Sequence, residues 1–423
     1  MRISAGIDRR VMLKSFAAAA LVGGVMRADT GREIGSPLPS RREGELDLHH
    51  IDTGRGNCTL IVGPDGTTMM IDAGASAVGS PNAAVATSSE ARPDASRRAG
   101  EWQARYALQH SASAKLDYMV VTHVHPDHVG DVSTETPLAA SGGFHLTGVS
   151  DVDALMPITT LLDRGYPEYA PFAPPPGAFT TNYIAYLKHR VETARAVEKV
   201  KVGSTEQVKL RSSEKYPEFA VRMLSANGVI WNGKGDGTHT DFPAAQNLAP
   251  EDRPNENLSS VALRLSYGKF SYFAGGDLSS DTHDGRVPWQ DVESPVTKAA
   301  GRTEVAAADH HGYFDACGPE FVRNLDAQAY IVQAWDVGHA GAMQLQRMLG
   351  AWGRGATHDV FALDVLPANE LMNRRFTPLL KSRRGHVVVR VATGGGSYRI
   401  LVVDSAVENG GVRAVFGPYT CRG

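Results

Sequence analysis

Apolar residues fall along the chain in short runs separated by glycine-rich and polar turns, a spacing that predicts many brief strands rather than a bundle of long helices. From Leu46 the order Leu-Asp-Leu-His-His-Ile-Asp, a Gly-rich turn at 53–56, Cys58-Thr-Leu-Ile-Val, a Pro-Asp-Gly turn at 64–66 and Thr68-Met-Met-Ile-Asp72 predicts three strands of a β-meander. The small, Ala-rich stretch 75–100 predicts a surface insertion, and Trp102 to Ala112 a helix. Leu116 to Val121 predicts an apolar strand that runs straight into Thr122-His-Val-His-Pro-Asp-His128. Five prolines between 165 and 180 predict a long loop, and 130–250 as a whole reads as an insertion that shapes specificity. Within it, Ile184, Leu187, Val191 and Ala194 share one face of a predicted amphipathic helix from about Asn182 to Lys199, and the Lys and Arg residues on to Lys215 read as a solvated face. Later strands are predicted at 221–225, 260–266, 270–274, 305–308, 329–334, 386–391 and 398–403. No repeat with a period of 20 to 50 residues is visible.

Composition narrows the class. The 423 residues are 42% hydrophobic and 21% charged, which excludes disorder as the main state. With 43 Lys and Arg against 46 Asp and Glu, no surface specific for nucleic acid or anionic membrane is expected. Cys58, Cys317 and Cys421 are too few for a disulfide framework and lack ligand spacing, so metal chemistry must use His and carboxylate. Arg9 and Arg10, ahead of an apolar run from Phe16 to Met26 and a small residue at 28, predict a twin-arginine export signal over 1–28. A short anchoring helix is the alternative. The run is well short of the roughly 20 residues a spanning helix needs, so the mature chain is expected to be periplasmic or secreted, without an integral membrane segment. A Gly, Pro, Ser and Arg linker follows over 29–45.

The chemistry concentrates at strand ends. Alternation along extended backbone sends His123 and His125 to one side, and Pro126 breaks the strand so that Asp127 and His128 turn into the same cleft. Neutral imidazoles with a carboxylate suit zinc, with iron or manganese as second choices, and the spacing serves two neighbouring ions. Asp277 follows a strand and two glycines, where it could bridge two cations or cap a helix. His310 and His311 also end a strand, one able to complete the second ion while its neighbour faces substrate.

These stretches resemble the metallo-β-lactamase-fold hydrolases, and among them the hydrolase domain of ComEC-like competence proteins and secreted phosphorylcholine esterase. The matching segments are His50 to Ile61, Thr68 to Gly74, His123 to Asp131, Asn255 to Leu265, Phe273 to Leu278 and His310 to Gly312, spanning about 46–350. The resemblance implies an α/β fold, an αββα sandwich with the metals at one edge of two sheets. Surface insertions and a C-terminal β-rich extension over 351–423, packed on the same domain, would complete it. It implies His123, His125, Asp127, His128, Asp277 and His311 as ligands of two divalent ions, zinc first. His310 would face substrate or donate a proton, Asp72 would support the ligands, and His339 resembles a further histidine near the site. Many family members have one more histidine before the bridging Asp; here His145, His189 and His239 are all open for that place.

The expected function is hydrolysis by a bridging hydroxide, oriented by Asp127 and assisted by His310, of a small-molecule or polymer substrate with a hydrolysable ester, a phosphodiester first. The alternatives are a lactone or β-lactam hydrolase, or a metal-binding protein without turnover.

Overall fold

The computed structural model describes residues 33–77, 86–352 and 355–423. The expected export signal, the start of the linker and residues 78–85 of the 75–100 stretch lie outside them.

Two large mixed sheets organise the chain. The first has nine strands in the order Val412–Thr420, Ser397–Val403, His386–Val391, Leu46–His50, Thr59–Val62, Thr68–Ile71, Leu116–Val120, Ile158–Asp163 and Ala196–Lys199. The second has eight: Asp359–Ala362, Ala329–Val332, Val305–Ala307, Phe270–Ala274, Ala262–Tyr267, Phe219–Ala226, Val229–Trp231 and Thr238–Thr240. Alternate residues of the two sheets meet in one core, where Leu48, Ile61, Ile71, Val120 and Leu162 pack with Met223, Leu263, Leu265, Tyr272, Ile331 and Phe361. The opposite set of side chains, Leu60, Met70, Met119 and Leu161, packs under the helices Ala99–His110, Val149–Leu155 and Ala178–Glu192. On the far side of the second sheet, Phe273, Ala306, Tyr330 and Val360 pack with the helices Glu293–Ala300, Pro319–Leu325 and Ala342–Leu349. Period-2 alternation with both faces apolar is what such burial demands. The result is the αββα sandwich.

The meander at 46–71 is antiparallel, and the pairing of Met69 to Ile71 with Tyr118 to Val120 is parallel. The chain therefore leaves strand 116–120 at the same edge at which Ile71 hands over to Asp72. Strands 270–274, 305–307 and 329–332 are also mutually parallel, so their C-terminal ends share one rim.

Three expectations need correction. The region 130–250 is not only an insertion, because Ile158–Asp163 and Ala196–Lys199 extend the first sheet by two parallel strands. The helix expected over 182–199 runs over Ala178–Glu192, and its tail is that edge strand. Its buried face is Tyr183, Tyr186, Leu187 and Arg190 rather than the Ile184, Leu187, Val191 and Ala194 stripe, and Val191 is exposed. The physical reason is Asp153, buried beneath the helix, whose Oδ2 accepts from Tyr186 Oη and Arg190 Nη1 at 2.8 Å each. That arginine is thus no part of a solvated basic face.

The strands at 386–391, 397–403 and 412–420 lie in the first sheet beside Leu46–His50, with Leu46 opposite Val391 and His50 opposite Val387. Strand 359–362 is parallel to 329–332. All three cysteines are free and buried. Among the described residues, no helix is long and apolar enough to cross a membrane.

Candidate metal centre

Strand 116–120 is followed by Val121, whose N–H donates to Leu162 O at 2.9 Å, and the chain then breaks away from the sheet. Asp72, at the end of the neighbouring strand, catches the break. Fully buried and with φ +57°, it accepts from Thr122 N at 2.7 Å, from Thr122 Oγ1 at 2.8 Å and from His128 Nδ1 at 2.8 Å. The last bond fixes the His128 tautomer and leaves Nε2 facing inward. Pro126 opens the short helix Pro126–Val129, which carries Asp127 and His128. Gly74 lies against this turn: a Cβ there would stand 1.9 Å from Asp127 O.

From the second sheet, strand 270–274 delivers Asp277 through Gly275 and Gly276. Gly276 has φ +62°, and a Cβ on it would meet Thr122 Cβ at 2.9 Å, so the two sheets approach here as only glycine permits. Strand 305–307 delivers His310 and His311, both in left-handed backbone at φ 45° and 52°. His311 Nδ1 donates to Gln333 O at 3.0 Å, which turns its Nε2 toward Asp127 Oδ2, also at 3.0 Å.

Among the described residues, Asp127, His128, Asp277 and His311 bring one ligand atom each within 4.8 Å of one another. His128 Nε2 lies 3.2 Å from Asp277 Oδ2 and 3.6 Å from Asp127 Oδ2, and His311 Nε2 lies 3.7 Å from Asp277 Oδ1. His123 and His125 adjoin this group beside His128, with the rings of His123 and His128 4.0 Å apart. His123 Nε2 is 3.6 Å from Asp277 Oδ2 and 3.1 Å from His125 Nδ1. All six sequence-predicted ligand residues are therefore side by side, as is His310, whose Nε2 is 3.8 Å from Asp277 Oδ2.

The electrostatics ask for a cation. Burial opposes charge on His128, yet Asp277, Asp127 and Asp72 outweigh it and hold its imidazole protonated well above the ordinary range. Burial likewise pushes Asp127 and Asp277 up, and the surrounding histidines, His128 foremost, bring both well below the carboxylate range. A proton on His128 so stands in for positive charge that these carboxylates lack. His128 Nε2 is meanwhile buried with Asp277 Oδ2 at 3.2 Å but in no well-aligned hydrogen bond, a costly state for a polar atom that a metal–nitrogen bond would relieve. The donor set of imidazoles and carboxylates fits zinc, iron or manganese.

His310 takes a different place. Its Nδ1 bonds Asp315 Oδ1 at 2.6 Å, Asn257 Nδ2 reaches its Nε2 at 3.3 Å, and its side chain keeps 19% exposure. Burial lowers its pKa, but Asp277 and Asp315 overcome this and raise it to about 9. His339 is buried beside the group: its ring stacks on His311 at 4.7 Å, and its Nδ1 accepts from Asp336 N at 3.3 Å.

None of the three histidines left open for a further ligand position joins the group. His145 Nδ1 bonds Thr136 O, His189 packs on Phe144, and His239 pairs with Asp241 on the exposed strand 238–240. Sequence reasoning missed Asp315, Asn257 and Glu256. Glu256 Oε1 accepts from Val124 N at 2.9 Å, between the first two histidines, and its carboxylate is held by Arg164 at 2.6 Å. The Asn255-Glu-Asn257 stretch had been noticed only as part of a resemblance, and its polar residues ahead of an apolar strand were the available signal.

Residues 51–134 match the family model of the metallo-beta-lactamase superfamily. No curated protein matches the chain. Among solved structures, it is similar to a protein described as a candidate metal-dependent hydrolase from Parabacteroides distasonis, at 10% identity and a TM-score of 0.35, covering 75% of this chain and 92% of that one. It is also similar to unliganded yeast PDE1, at 11% identity and a TM-score of 0.35, covering 81% of this chain and 98% of the other. The matched segment holds His123, His125, Asp127 and His128, and the αββα sandwich around it is consistent with the metallo-β-lactamase fold.

Proposed function

We propose that this metal-dependent hydrolase works with two divalent ions, zinc first, and cleaves a phosphodiester or similar ester. The observation that carries the reading is the meeting of Asp127, His128, Asp277 and His311 from three strand ends, with one ligand atom of each within 4.8 Å of the others. In this reading His123, His125, Asp127, His128, Asp277 and His311 would hold the two ions. When bound, a pair of divalent ions makes water acidic enough to ionise near neutral pH and neutralises oxygen charge on the group attacked.

The chain's own residues supply the rest. Asp127 is the carboxylate best placed to orient the attacking water, because its helix is fixed from below by Asn57 N, which donates to Asp127 O at 2.8 Å. His310 bonds Asp315 Oδ1 through Nδ1, which leaves Nε2, 3.8 Å from Asp277 Oδ2, as the atom that would exchange a proton. Burial of the ligands excludes bulk water from the carboxylates and strengthens their attraction for cations.

The choice of a phosphodiester is supported by the motif resemblance to ComEC-like and phosphorylcholine esterase domains, and by the ability of paired ions to clamp both the non-bridging and the leaving oxygen. Export through the twin-arginine route belongs to the same proposal and is supported by Arg9, Arg10 and the apolar run behind them.

The test is turnover by purified, metal-analysed protein on a chromogenic phosphodiester, a phosphomonoester, a lactone and a cephalosporin. Hydrolysis of the diester in proportion to metal content is expected. Cleavage of the cephalosporin with the diester untouched would overturn the substrate class.

A further inference from the structure

Gln333 directly follows strand Ala329–Val332, and alternation places it with Ala329 and Ile331, whose side chains lie in the core between the two sheets. An aliphatic residue would suit that place. The glutamine there is buried, and both ends of its amide are bonded across to the first sheet: Oε1 accepts from Cys58 N at 3.2 Å, and Nε2 donates to Thr59 Oγ1 at 3.2 Å. A backbone N–H can only donate, so Cys58 fixes which way the amide points. Cys58 and Thr59 are buried as well, so bulk water has no access to replace either bond.

These bonds complete a closed ring of contacts that passes through the metal centre. His311 Nδ1 donates to the backbone oxygen of Gln333 at 3.0 Å, and His311 Nε2 lies 3.0 Å from Asp127 Oδ2. Asp127 O accepts from Asn57 N at 2.8 Å, and the next residue is Cys58, whose N–H returns to the Gln333 side chain. Asn57 also donates from Nδ2 to Asp72 Oδ2 at 3.2 Å, the same oxygen that receives His128 Nδ1. His311 is delivered by the second sheet, whereas Asp127, His128 and Asp72 come from the first. The backbone oxygen at position 333 would be there with any side chain. What glutamine adds is the return bond to 58 and 59.

We infer that Gln333 is a positioning residue of the centre. Its side chain ties the carbonyl that orients His311 to the segment that braces Asp127, and so sets the spacing of these two candidate ligands across the sheets. The inference rests on the metal-centre reading above. Partners that orient a ligand from behind contribute strongly to metal affinity even though they never touch the ion.

Gln333→Met keeps the side-chain volume and the backbone oxygen but removes both cross-sheet bonds. Metal-free wild type and variant would be titrated calorimetrically with Zn2+, with content checked by elemental analysis after gel filtration, and the visible ligand-field bands of Co2+-loaded protein would be recorded at saturation. Wild type is expected to take up Zn2+. In Gln333→Met the affinity should fall about 10–100-fold, and the Co2+ bands should shift because the ligands are no longer held in the same arrangement. Thr59→Val leaves Oε1 on Cys58 N but frees the other end of the amide, so a smaller loss in the same direction is expected. Wild-type affinity and wild-type bands in Gln333→Met, whatever happens to its denaturant midpoint, would make the residue structural only and overturn the inference. If Gln333→Met does not fold, Thr59→Val decides, and unchanged affinity and bands in that variant overturn it. Absence of uptake in wild type overturns instead the metal-centre reading itself.

Discussion

Asp72 is the clearest case at the scale of single residues. Its carboxylate receives the backbone and side chain of Thr122 and the ring of His128, so it joins the end of one strand to the ligand turn of the next. Asp72→Ala would strand the buried Thr122 N–H, a cost of about 1–3 kcal/mol, and release the His128 ring. We expect the denaturant midpoint of the metal-free protein to fall accordingly and metal affinity to drop about 10–100-fold; unchanged affinity in a titration would show that Asp72 serves the fold only. Asp315 holds His310 as Asp72 holds His128. His310→Ala should lower kcat about 100-fold, the lower end of proton-transfer effects, with both ions retained by elemental analysis. Asp315→Asn should lower kcat less, again with metal content unchanged. Loss of metal in either variant would instead move His310 into the ligand set. The candidate ligands are legible in the sequence because a His-x-His-x-Asp-His string has few other uses. Asp315 and Asn257 were not, because an isolated Asp or Asn acquires its role from a neighbour brought by another part of the chain.

At the scale of elements, the helix Ala178–Glu192 shows how a buried charge overrides an apolar stripe. Arg190 is fully buried and bonds Asp153, Ile158 O and Ala196 O, tying the helix to the two strands that extend the first sheet. Arg190→Met fills similar volume but leaves Asp153 without its closest buried cation. Removing one partner of such a pair costs about 3–5 kcal/mol, and the lower end is expected because Arg195 also reaches Asp153 at 2.6 Å. Chemical denaturation would measure it, and a loss near zero would mean that Arg195 suffices. The periodicity of the sequence pointed to a different face because it registers only hydrophobicity, and Asp153 lies 37 residues away from its partner. Strand 158–163 was overlooked for a related reason: Thr159 and Thr160 interrupt its apolar run, although Ile158, Leu161 and Leu162 are buried.

At the scale of the molecule, the first sheet is closed by chain segments far apart in sequence. Arg390 makes a two-pronged bond to Asp47 at 2.9 and 2.7 Å across the pairing of Leu46–His50 with His386–Val391. Burial raises the Asp47 pKa, but His49 and Arg390 more than offset this and bring it to about 2. Because the folded value lies below the unfolded value of about 3.9, the pair stabilises the fold fully above pH 4 and loses that contribution as pH falls toward 2. A stability-versus-pH curve should therefore drop across this window, and the drop should shrink in Asp47→Asn; an identical curve for the variant would refute the linkage. Deleting residues 386–423 would expose one edge of Leu46–His50 and remove Val387, Val389, Val391, Ile400 and Val402 from the core between the sheets. Insoluble or protease-sensitive protein is the expected result.

By itself the amino-acid order determined the local features: short strands bounded by turns, the proline break after His125, the clustered histidines and aspartate and the glycines before Asp277. Each depends on neighbours within a few residues, where backbone geometry and side-chain alternation are enough. Only the tertiary structure decided which strand ends share a rim, which of the fifteen histidines stand together and which asparagine and aspartates face them. Those outcomes follow from strand pairing and from the compensation of buried charge, both set by contacts between residues tens to hundreds of positions apart.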